Sequence, residues 1–119
     1  MTPLERLSTL QSSFPGFAQF WERDDNYHRD GNEWSQHGLW ACFSEFVARG
    51  HVDLTAEPIR ELFRAIEEIV SSDPQDADSE ANAICTCFLE NIAGTTIGDE
   101  VRKLMGPGSR NYLDHWSHS

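Results

Sequence analysis

The 119-residue chain is poor in bases: nine lysines and arginines stand against twenty acidic residues, a formal charge of -11. Protein affinity for nucleic acid comes largely from cations that neutralise phosphates, so direct DNA or RNA binding is not expected. Cysteine is scarce too. There are three, an odd number, with Cys85 and Cys87 one residue apart, which is not the paired framework of a small secreted domain, so reduced thiols are expected. No apolar run approaches the roughly 20 residues that span a bilayer, and Met1-Thr2-Pro3-Leu4-Glu5-Arg6 lacks the basic-then-apolar pattern of an export signal. The sequence therefore predicts a soluble cytosolic protein with no membrane contact.

Catalytic signatures are missing as well. The serines, histidines and aspartates form no nucleophile elbow, and the five histidines make no His-x-x-x-His pair. The segment from Asp24 to Glu33 superficially suggests a calcium loop. With Gly31 as the obligatory glycine, however, the ligand positions fall to Asn26, His28, Asp30 and His37, without a leading acid or a terminal bidentate glutamate. Cys85 and Cys87 on an α-helix would point about 200° apart and could not readily chelate one metal. The expectation is a non-enzyme without metal or cofactor.

What is present is apolar periodicity. The length fits one domain built on one core, residues 1–119. Thr2, Pro3 and Glu5 supply a cap, a helix-compatible proline and a capping-box acid, predicting a helix over residues 2–13. Phe14, Phe17, Phe20 and Trp21 predict a short aromatic helical segment after the Pro15-Gly16 break. Residues 22–34 contain no aliphatic side chain and read as a long loop. Leu39, Trp40, Phe43, Phe46 and Val47 form a helical stripe ending at Gly50, a natural left-handed cap.

The clearest amphipathic helix follows Thr55 and Pro58. Ile59, Leu62, Phe63, Ile66, Ile69 and Val70 share one face, while Glu57, Glu61, Arg64 and Glu68 share another. An acidic turn containing Pro74 separates it from an almost wholly apolar run, Ala81 to Ala93, expected to be the central helix, with Ser79 or Asp78 as its cap. A polar stripe of Asn82, Thr86 and Glu90 marks that helix. A short helix around residues 96–105 should stop at Gly106-Pro107-Gly108, and a last one should cover residues 109–116. No segment alternates as a strand would. An all-α fold of five or six helices in an antiparallel hairpin stack or irregular bundle is the expectation.

The charge is uneven. Residues 53–100 hold twelve acids and two bases, whereas residues 101–119 hold one acid and three bases. A run of charge is often only a solvated helix face, but it can also guide a basic partner. Glu57, Glu61, Glu68, Asp73, Asp76, Asp78 and Glu80 are the candidate steering residues, and Tyr27, Asp30 and Trp34 the candidate aromatic and polar anchors in the long loop.

The succession of the helix Ile59-Arg-Glu-Leu-Phe-Arg-Ala-Ile-Glu-Glu-Ile-Val, the acidic turn, Ala83-Ile-Cys-Thr-Cys-Phe-Leu-Glu-Asn-Ile and Leu104-Met-Gly-Pro-Gly-Ser-Arg-Asn-Tyr-Leu resembles small bacterial all-helical proteins found among polymorphic-toxin immunity proteins. The Phe88-Leu89-Glu90-Asn91 segment and the Gly106 to Arg110 turn carry most of that resemblance. It covers residues 36–116 and implies an inhibitor that binds a cognate toxin domain and occludes its active site, with a nuclease as first target because its groove is basic. A non-catalytic adaptor or scaffold module for another cellular protein is the alternative.

Overall fold

The computed structural model describes residues 2–23, 25–26, 35–72 and 79–117. All the regular structure in them is helical, as the periodicity predicts. Five or six helices were expected; α2 and α7 stand as short elements of their own.

The start of α1 (Pro3–Ser13) follows the sequence closely: Thr2 accepts from the Glu5 amide and the Glu5 carboxylate accepts from the Thr2 amide, the reciprocal capping box. After Pro15, α2 (Gly16–Trp21) buries Phe17, Phe20 and Trp21. Helix α3 (Gln36–Ala48) is capped by Ser35 and ends at Gly50, whose φ of 79° lies in the left-handed region that a side chain would strain. Helix α4 (Glu57–Ser72) buries the Ile59, Leu62, Phe63 and Ile66 face.

The central run is less regular than an amphipathic wheel implies. Ser79 caps α5 (Glu80–Ala83), which passes without a break into a π-helical stretch, Ile84–Leu89, and then into α6 (Glu90–Ile92). A π turn widens the backbone ladder and leaves some carbonyls in need of partners. Here side chains supply them: Thr86 Oγ1 donates to the Asn82 carbonyl at 2.8 Å, and Asn91 Nδ2 donates to the Cys87 carbonyl at 2.7 Å. Two of the three stripe residues, Asn82 and Thr86, are thereby explained, with Asn91 beside them. Asn82 bonds His37 Nε2 at 2.9 Å and Asn91 reaches Ser44 Oγ at 3.3 Å, so these two asparagines join the central rod to α3.

This rod lies along α3, while α4 and α8 (Pro107–Ser117) pack against it from other directions and α1 and α2 rest on α3. Thr95 caps α7 (Thr96–Val101), which tightens into a 3-10 turn over Arg102–Leu104. One core draws on every major helix. Its aromatic heart comprises Phe14, Phe17, Trp40, Phe43, Phe63 and Phe88, joined by ring pairs with centroids 5.2–6.0 Å apart. Among the described residues no helix is long and apolar enough to cross a membrane.

Candidate interaction surface

The amphipathic pattern that buries Ile59 and Phe63 turns Glu57, Glu61 and Glu68 outward on α4, and all three are exposed. They are not electrostatically equal. Glu57 lies 3.4 Å from Arg64 and 3.9 Å from Arg60, so its charge is partly answered within its own helix. The Glu61 and Glu68 side chains have neither a hydrogen bond nor an ion pair among the described residues. They are the two carboxylates of α4 most open to a cationic partner.

Glu80, expected among the steering residues, does not belong to that surface, because it is held in an ion pair with Arg6. Its two oxygens accept from Arg6 Nε at 2.7 Å and Arg6 Nη2 at 3.0 Å, and the two side chains are only 9% and 7% exposed. The Arg6 guanidinium also sits 5.8 Å from the centroid of the Trp40 ring. The geometry is a bidentate fork, which pins α1 to the start of α5. A charge so paired contributes little field outside the protein. Tyr27, Asp30, Trp34, Asp73, Asp76 and Asp78 lie outside the described residues.

Glu67, absent from the sequence-derived set, has the richest carboxylate environment. It accepts from the backbone amides of Gly108 and Ser109 and from Ser109 Oγ, each at 2.9 Å, and from Ser71 Oγ at 3.1 Å. Partial burial alone would raise its pKa, but the bonds from Ser109, Gly108 and Ser71 outweigh that and hold the carboxyl below the ordinary glutamate value. It serves as an N-cap for α8 supplied by another helix, favourably placed at the positive end of the helix dipole. The glycines of the turn make room for it: a Cβ on Gly106 would lie 2.5 Å from the Glu67 side chain, and one on Gly108 would lie 3.1 Å from its Oε2. The preceding helical turn stops before Gly106, as the sequence predicts, but α8 begins at Pro107 and not at Ser109.

The thiols are free. Burial pushes the Cys42 thiol up to about 12 and also raises that of Cys85, while Cys87 is only half-buried. Raised thiol pKa values reduce the thiolate fraction that reacts or binds metal. Among the described residues no group of three histidine, cysteine, aspartate or glutamate side chains could hold a metal ion.

A cleft among the described residues lies away from the acidic surface expected from the sequence. It has a volume of about 460 Å³ and gathers Gln19, Phe20, Arg23, Phe46, Arg49 and His51 from α2, its C-terminal extension and the end of α3. Periodicity assigns Phe20 and Phe46 to buried helix faces, and His51 directly follows the Gly50 cap. Nothing in the linear pattern shows that Arg23, twenty-six residues earlier than Arg49, joins it there.

Comparison with curated proteins and with solved structures finds no match. Residues 7–118, nearly the whole chain, match the family described as domain of unknown function DUF7674, and the chain belongs to that family.

Proposed function

We propose that the chain is a non-catalytic inhibitor of the immunity type, whose acidic surface binds a toxin or effector domain with a basic surface and occludes its active site. A nuclease is the first target class, because its substrate groove must attract phosphates. The observation that supports this reading is the pair of exposed, unanswered carboxylates Glu61 and Glu68 on α4, within a segment where acids outnumber bases twelve to two. Opposed fields of this kind accelerate encounter by about 10- to 1,000-fold at low salt.

The test is co-expression with the toxic domain encoded beside this chain, scoring survival and co-purification together. Survival with a stable complex supports direct inhibition. Killing with no complex refutes it and favours the adaptor reading. In the complex, E61K/E68K moves the formal charge from -11 to -7, since each reversal adds two. The association rate should then fall by about tenfold at low ionic strength, and the gap should narrow near physiological salt, where the screening length is about 8 Å. A rate unchanged by reversal, or equally reduced at all salt concentrations, refutes the electrostatic part.

A further inference from the structure

We propose that the cleft between α2 and the end of α3 binds a linear peptide segment of a partner protein in which an acidic side chain adjoins an apolar one. This does not rest on the inhibitor reading; it concerns a different surface and the opposite ligand charge.

The cationic end is built around two aromatic rings. The Arg23 guanidinium lies 3.7 Å from the Phe20 centroid and the Arg49 guanidinium 5.4 Å from it. His51 stacks on Phe46 with centroids 5.3 Å apart and rings inclined by 29°. Phe20 and Phe46 are 7% and 3% exposed, so they floor the cleft, while Arg49 and His51 are exposed. Aromatic faces hold cations in place and lower the ordering cost of binding.

Two carboxylates face these cations. Glu45 lies 3.7 Å from Arg23 and 3.6 Å from Arg49, and Asp25 lies 3.7 Å from Arg23. These separations exceed hydrogen-bonding distance for a strong charge-assisted contact, about 2.7–2.9 Å. Arg23 Nε donates to the Phe20 carbonyl at 3.0 Å, which makes Arg23 chiefly a wall. Arg49 makes no side-chain hydrogen bond among the described residues, so its fork of donors is available to a carboxylate, with His51 beside it.

The shape argues for an extended ligand. A second cleft of about 180 Å³ shares Gly16, Phe46 and His51 with the first and continues past Phe14, Val52 and Pro58, with Asp53 at its side, whose Oδ1 accepts from the Thr55 amide and hydroxyl. A small anion would occupy the cationic end and leave this apolar trough wet. A peptide places its carboxylate on Arg49 and His51 and an adjacent aliphatic or aromatic side chain in the trough, satisfying both parts at once.

The experiment is selection of a random displayed dodecapeptide library on the full chain at low salt. Selected peptides are then synthesised and titrated by fluorescence anisotropy against the wild type, R49Q and E61K/E68K. The expected consensus pairs Asp or Glu with a neighbouring Leu, Ile or Phe. Affinity should fall at least tenfold on R49Q and on Glu→Gln in the peptide, and stay within twofold on E61K/E68K. Arg49 is an exposed helix-end residue, and circular dichroism checks that R49Q keeps its fold. Absence of enrichment, or acidic peptides that bind R49Q unchanged, overturns the proposal. A basic consensus lost on E61K/E68K also overturns it while supporting the acidic surface of α4. Displacement of the peptide by inorganic phosphate at equal concentration would overturn it in favour of a simple anion site.

Discussion

Replacing Glu67 should uncouple α8 from α4, and the size of the effect follows from the bonds it makes. The carboxylate receives two backbone amides and one hydroxyl from the first turn of α8, all at 2.9 Å. Loss of a helix cap costs about 0.5–2 kcal/mol. Hydrogen bonds to charged groups reach about 1.5–3 kcal/mol, but Glu67 is only partly buried and water can replace much of what is lost. About 2 kcal/mol for Glu67→Ala and about 1 kcal/mol for Glu67→Gln, which keeps one accepting oxygen, are the expected costs. An unfolding entropy of about 2.1 cal/mol/K per residue over 119 residues corresponds to about 4 °C in Tm for each kcal/mol. Glu67→Ala should therefore melt about 8 °C lower. The pKa of Glu67 is lowered in the folded state, so its contribution is fully present above the unfolded value and is lost as pH falls through the lower folded one. Calorimetry across pH should find the gap between wild type and Glu67→Gln constant above about pH 5 and closing below about pH 4. A gap that persists into acid, or a Glu67→Ala variant as stable as wild type at neutral pH, would refute the capping argument.

Gly106→Ala should act through the same cap. Its Cβ would fall 2.5 Å from the Glu67 side chain, which must shift away from its place at the α8 terminus, so a loss of about 1–2 kcal/mol is expected. Glu67→Ala with Gly106→Ala should then cost clearly less than the two single losses added, as a double-mutant cycle in urea would measure. Arg6→Ala strands the Glu80 carboxylate in a site where both partners are nearly buried. A loss of about 3 kcal/mol is expected by urea denaturation, with much of it recovered in Arg6→Met/Glu80→Leu. Native thiol labelling at pH 8 should modify Cys87 first, while Cys42, pushed up to about 12 by burial, reacts only on unfolding. Rapid native labelling of Cys42 would show that its site opens.

The sequence determined the helices and which of their faces are buried. The capping box at Thr2 and Glu5, the stop at Gly50 and the apolar face of α4 depend on neighbours within four residues, and local sequence records such neighbours directly, whereas it left the cap of α5 open between Asp78 and Ser79. The exposure of Glu61 and Glu68 follows from the same periodicity. Tertiary structure decided what each acid does. Glu80 and Glu67 look like further members of an acidic surface, yet one meets Arg6 across 74 positions and the other caps a helix 41 and 42 positions away. The π-helical turn at Ile84–Leu89 is sustained in part by the Asn91 side chain, which also reaches Ser44 on α3, and no helical wheel shows that. The cleft around Phe20 has the same origin. Arg23, Arg49 and His51 are ordinary residues at element ends until packing α2 against α3 brings two guanidinium groups and an imidazole over one pair of rings. Periodicity fixes which face of a helix turns inward, because burial acts residue by residue along the helix. Pairing of charges across the core depends on which helices meet, and that is set by the shape of the packed whole.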